Sequence, residues 1–111
     1  MNDSELDHEC NSLKGAVGVL GDRWSAIILW AIKEEPQRFG EIQKRVDGIN
    51  SRTLTQRLQT LEDEGLITRH EYKEYPPRTE YRITPKGAEL EPVFTAMMTW
   101  AEKHVFTDSG E

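Results

Sequence analysis

Leu54, Leu58 and Leu61 recur at i, i+4 and i+7 between two capping residues, Asn50 and Ser51, and a closing glycine, Gly65. That spacing puts three apolar side chains on one stripe of a helix whose start and stop are both specified. Just upstream, Phe39, Ile42 and Val46 fall at i, i+3 and i+7 and predict a shorter helix closed by Asp47-Gly48, a turn signal. Two helices joined by a short turn containing glycine match the helix-turn-helix motif, here over about residues 39–64.

Past Gly65 the pattern changes to β-branched and aromatic residues in alternation, Ile67, Arg69 and Tyr72, then Thr79, Tyr81 and Ile83. Tyr75-Pro76-Pro77-Arg78 separates the two runs, and because proline donates no ladder hydrogen bond it belongs at a hairpin tip. The hairpin, about 66–84, is a wing. Thr84-Pro85 opens a last helix over about 85–105, in which Pro92 either kinks the rod or marks where its regular part begins. Its apolar residues, among them Leu90, Phe94, Met97, Met98 and Ala101, form a face too wide for one small domain. Upstream, Leu13 to Leu20 predict a short helix weakened by Gly15 and Gly18 at roughly 1 kcal/mol each, which partners must hold. Asp22 is a good N-cap for a second, central helix carrying Trp24, Ile27, Ile28, Ala31 and Ile32. The order α-α-α-α-β-β-α gives the fold class: mainly α with a small β-hairpin, a winged helix-turn-helix spanning residues 1–111 as one domain.

On a helical wheel with Leu54 at zero, Arg52, Gln56 and Gln59 lie roughly 140–200° away, flanked by Thr53 and Thr55. Arginine can donate to guanine, glutamine can pair bidentately with adenine, and threonine can touch a thymine methyl in a major groove. Glu62, Asp63 and Glu64 at the other end would repel phosphate, so the N-terminal half is the end that would enter DNA. The whole chain carries −6, yet residues 36–87 hold ten basic against eight acidic side chains and each flank is −4. Lys73 and Arg78 at the hairpin tip are placed to meet phosphates or the minor groove. A polar helix face also serves plain solvation, and the net charge favours a rival use as a winged-helix protein–protein interaction module without DNA readout.

Leu20-Gly-Asp-Arg-Trp24, Arg38-Phe39-Gly-Glu-Ile42, Ile49 to Leu58, Leu61-Glu-Asp-Glu-Gly-Leu66, Tyr75-Pro-Pro-Arg78, Glu80-Tyr81, Ile83 to Gly87 and Trp100-Ala101 resemble, in that order, the HxlR family of bacterial winged-helix transcriptional regulators. The resemblance runs from about Cys10 to His104. It implies a homodimer on a palindromic double-stranded operator, with Ser51, Arg52, Thr53, Thr55, Gln56 and Arg57 in the DNA-reading helix and Lys73 and Arg78 in the wing. It also implies dimer contacts from the first and last helices, which assigns Leu13, Val17, Leu90, Phe94, Met97, Met98 and Ala101 to the interface.

Many members of that family sense oxidants or electrophiles through an N-terminal cysteine, and Cys10, the one cysteine of the chain, stands in that place. A helix beginning just after it would favour thiolate, whereas Asp7 and Glu9 oppose it. Oxidation could then end in a Cys10–Cys10 bridge between subunits, a small-thiol adduct or an alkylated thiol. A small side chain without redox role is the plain alternative, and an effector pocket among Trp24, Trp30, Trp100, Met97 and Met98 is less favoured than packing. His8-x-Cys10 falls short of a metal site, and no cofactor motif is present. Gly15-x-x-Gly18-x-x-Gly21 lacks the strand and spacing of a dinucleotide loop, and no catalytic constellation occurs, so the chain is read as no enzyme. The longest apolar run, Ala26 to Ile32, is seven residues, far too short to span a bilayer, and no targeting signal is seen, so the cytoplasm is the expected compartment.

Overall fold

The computed structural model describes residues 2–106. Its elements run α1 (Asp3–Leu20), α2 (Ser25–Ile32), β1 (Gln37–Arg38), α3 (Phe39–Arg45), α4 (Ser51–Asp63), β2 (Ile67–Tyr72), β3 (Arg78–Ile83), α5 (Pro85–Ala88) and α6 (Glu91–His104). The winged helix-turn-helix is therefore present, α3 and α4 forming the motif and β2–β3 the wing. Among the described residues no single helix is long and apolar enough to cross a membrane.

Ile28, Leu29 and Ile32 of α2 are buried at the centre, with Ile42 and Val46 against one side and Leu54, Leu58 and Leu61 against another. Eight residues with apolar groups nearly all round make α2 a core helix. The N-cap of α2 is Trp24 rather than Asp22, and Asp22 braces that start from two residues upstream, accepting hydrogen bonds from the Trp24 and Ser25 amides at 2.9 Å each and from the Ser25 hydroxyl. At the other end of the motif the chain leaves α4 through a left-handed glycine, Gly65 at φ +78°. The Leu66 amide donates to the Leu61 carbonyl and the Gly65 amide to that of Glu62, both at 2.9 Å, which is the paired bonding that closes a helix with glycine at C′. Gly48, at φ +86°, serves the turn between α3 and α4.

Three features differ from the sequence expectation. The first helix is 18 residues, capped by Asn2, whose side chain accepts from the Glu5 amide, rather than beginning near Leu13. Cys10 therefore lies two turns inside the helix and not ahead of its N-terminus. Second, Gln37 and Arg38 pair antiparallel with Tyr81 and Glu80, so the sheet has three strands in the order β1-β3-β2. Third, a turn after Ala88 divides the expected 85–105 helix in two; the long part starts at Glu91 with Pro92 in its first turn, as one of the two expected placements of Pro92 had it, where a missing N–H costs nothing.

Candidate nucleic-acid interface

With its three leucines buried, α4 presents Ser51, Arg52, Thr55 and Gln56 to solvent. Its N-terminus is fixed twice: the Asn50 side chain accepts from the Thr53 amide at 2.8 Å, and Gln43 of α3 donates to the Ser51 hydroxyl at 3.1 Å. Thr55 donates its hydroxyl to the Ser51 carbonyl at 2.8 Å, which holds its methyl group in one place. Arg52 and Gln56 project from this end, and among the described residues their side chains have no intramolecular hydrogen bond or ion pair. Thr53 is half-buried.

Arg57 departs from the expected reading face. Its guanidinium turns back toward the start of α2 and pairs with Asp22 at 3.6 Å. Burial pushes the Asp22 carboxyl up, but the Ser25 hydroxyl, the Trp24 and Ser25 amides and Arg57 together outweigh it and hold the group below its ordinary 3.8. Arg57 thus orients α4 on the body of the domain.

The wing departs as well. Arg78 opens β3 opposite Tyr72, lies 4.3 Å over that ring, and faces Glu74 at 3.6 Å and Glu80 at 3.9 Å. It is folded onto the hairpin instead of projecting from the tip. Tyr75, 99 % exposed, and Lys73 occupy the tip. Of the ten basic residues in the central stretch, Arg45, Arg57, Arg69, Arg78, Arg82 and Lys86 each have a hydrogen-bond or ion-pair partner within the chain. Among the described residues Arg38, Lys44, Arg52 and Lys73 have no such side-chain partner.

A second surface is apolar. Helix α1 has no buried residue, and Leu6, Cys10, Leu13, Val17 and Leu20 recur along it at alternating steps of four and three. That is the seam spacing of a helix that pairs with another helix. Leu13 is 67 % exposed and Val17 57 %. On α6, Val93, Met97, Met98 and Trp100 are also exposed, and Ile27 and Trp30 of α2 line a groove with Phe94, Met97 and Met98. Phe94 itself, 6 % exposed, belongs to the core, Leu90 is half-buried against it, and Ala101 is half-buried. Val93 and Trp100 belong to the wide apolar face expected of the last helix, whereas Leu6 was not anticipated at this surface. The signal for Leu6 is the four-three spacing itself, which starts there once the helix begins at Asp3. Among the described residues no group of three His, Cys, Asp or Glu side chains could hold a metal ion.

Residues 19–109 match the family model described as HxlR-like helix-turn-helix. An HTH-type transcriptional regulator of Methanothermobacter thermautotrophicus is 39 % identical over 93 residues, covering 84 % of this chain and 71 % of that protein. The HTH-type transcriptional regulator YodB of Bacillus subtilis is 32 % identical over 102 residues, 92 % of this chain and 89 % of its own. The reduced form of YodB superposes with a TM-score of 0.76 over 86 % of this chain and 93 % of that one. YodB has also been solved diamide-treated and quinone-bound. The redox regulator HypR in its reduced form gives a TM-score of 0.81 at 29 % identity, covering 90 % of this chain and 99 % of that one. These relatives are transcriptional regulators, not enzymes. With its family match covering most of the sequence, this chain belongs to the HxlR-like helix-turn-helix family of transcriptional regulators.

Proposed function

We propose that the chain acts as a homodimer that binds a two-fold symmetric operator and reads it with the N-terminal half of α4 in the major groove. The observation that carries this is the pair Arg52 and Gln56. Both are long, polar and unpaired within the described chain, on a helix whose other face is locked by three leucines. Two such helices about 34–36 Å apart would meet successive major grooves on one side of a duplex. The exposed seam on α1 and the groove beside α6 supply the apolar surface a second copy would cover.

Footprinting on the region upstream of its own gene tests the class, and a symmetric protected site is expected. Arg52→Ala or Gln56→Ala should weaken operator binding by about 1–3 kcal/mol and relax preference at one base pair. Equal loss on operator and random duplex would remove either residue from the readers. Failure to bind any duplex would favour the protein-interaction alternative.

Cys10 is the signal-receiving residue in this proposal. It is exposed and lies on the α1 seam, between Leu6 and Leu13. The likeness to HypR and YodB supports a response to oxidants or quinones. Diamide would take two electrons and two protons from a pair of thiols to form a disulfide, whereas a quinone would add the thiolate to its ring. Unchanged DNA affinity after verified modification of Cys10 would refute this role.

A further inference from the structure

The wing concentrates opposite charges on one face. Arg78, Glu80 and Arg82 alternate along β3, so their side chains share a side of the hairpin with Tyr72 across the ladder. Glu80 accepts the Tyr72 hydroxyl at 3.0 Å, faces Arg78 and Arg82 at 3.9 Å each, and is only 18 % exposed. Arg82 donates to the Tyr72 oxygen at 3.2 Å. Glu74 faces Arg78 from the turn at 3.6 Å. Arg78 gains no full set of hydrogen bonds from this, since its Nε is buried with no partner among the described residues. Charge and the Tyr72 ring hold it.

We propose that Glu80, assisted by Glu74, is a positioning residue that acts as an internal counter-ion, keeping Arg78 and Arg82 from DNA phosphates. The wing then adds little charge to binding, and discrimination is left to α4. This rests on the DNA-binding reading above. A guanidinium already neutralised by a carboxylate contributes little to counterion release, so it adds little to the salt dependence of affinity. Contacts to phosphate strengthen every sequence alike, so what Glu80 suppresses is mainly binding without selectivity.

Glu80→Gln tests this, because the amide oxygen still accepts the Tyr72 hydroxyl while the charge is lost. In titrations of the full chain on operator and random duplex, affinity for both should rise in parallel. The slope of log K against log salt should steepen by about 0.9 for each phosphate gained, one or two in all. The advantage over wild type should shrink about threefold per phosphate between 50 and 200 mM salt. Arg78→Gln should leave the wild-type slope unaltered and remove about 0.9 from that of the Glu80→Gln chain. A change that merely loosened the hairpin would lower affinity instead. An unaltered slope, or a loss of affinity, in folded Glu80→Gln protein overturns the proposal. Glu74→Gln leaves Glu80 facing Arg78 and should steepen the slope by less than Glu80→Gln does; a larger effect than that of Glu80→Gln overturns the assignment to Glu80. Wild-type protein that binds no duplex at any salt would refute the underlying reading instead.

Discussion

Removing the Asp22 carboxylate should destabilise the domain through three separate contacts. Asp22→Ala uncaps α2 at the Trp24 and Ser25 amides, which costs about 1 kcal/mol. It strips the Ser25 hydroxyl, on a fully buried residue, of its bond, worth about 1–2 kcal/mol. It also unpairs Arg57, and since both side chains keep more than a quarter of their exposure that pair adds only about 0.5 kcal/mol. Such terms overlap, and about 2–3 kcal/mol is expected in sum, a fall of about 8–12 °C in Tm for a domain of this size. Thermal unfolding followed by circular dichroism at neutral pH measures it. Asp22→Asn keeps an oxygen for the amides and should lose under about 1 kcal/mol. If the alanine chain melted within about 2 °C of wild type, the capping argument would fail. If asparagine were as harmful as alanine, the charge facing Arg57 rather than the cap would be the main contribution.

Acid should erase the difference between wild type and Asp22→Asn. The folded carboxyl is held below 3.8, so its contribution is present above that value and is lost as pH falls through the folded pKa. The gap in Tm is expected to stay constant from about pH 7 to 5 and to close below about pH 3.8; a gap that widened in acid would contradict the sign. Leu13→Asp or Met97→Lys, each placing a charge on the exposed apolar surface, should yield monomers in sedimentation at micromolar concentration and reduce operator affinity together. A dimer that survives both changes would place the interface elsewhere. Gly65→Ala forces a side chain into φ +78° and should cost about 1–2 kcal/mol. An unshifted melting curve would show that the exit from α4 can be rebuilt.

Patterns carried by neighbouring residues were legible in the sequence. Leu54, Leu58 and Leu61 define a face by spacing alone, and the face opposite follows from helical geometry. Tyr75-Pro76-Pro77 marks a tip because proline cannot sit in a ladder. Interactions set by register or by distant chain were not legible. Whether Arg78 projects or folds back depends on its standing opposite Tyr72 with Glu80 two residues on, which only strand pairing decides. Arg57 meets Asp22 across 35 positions of sequence, and no local pattern signals it. Two residues are too few to show alternation, so β1 was invisible; its existence comes from β3 offering an unpaired edge. Helix α1 was underestimated because its first half is acidic and polar, with no buried side chain to give it an inward stripe.

The end of α4 is bolted to the segment that leads into α6. Thr84 donates its hydroxyl to the Gly65 carbonyl at 2.7 Å and its amide to Leu66 at 3.0 Å, while Lys86 donates to the Glu64 carbonyl at 2.7 Å. In the proposed dimer these bonds fix α5 to the end of the probe that touches bases, and the short turn after Ala88 joins it to the arm that grips the sister subunit. The span between two probes is then a fixed gauge of this short staple, and lengthening the chain between Ala88 and Glu91 would retune which half-site separation the pair can straddle without altering a single base contact.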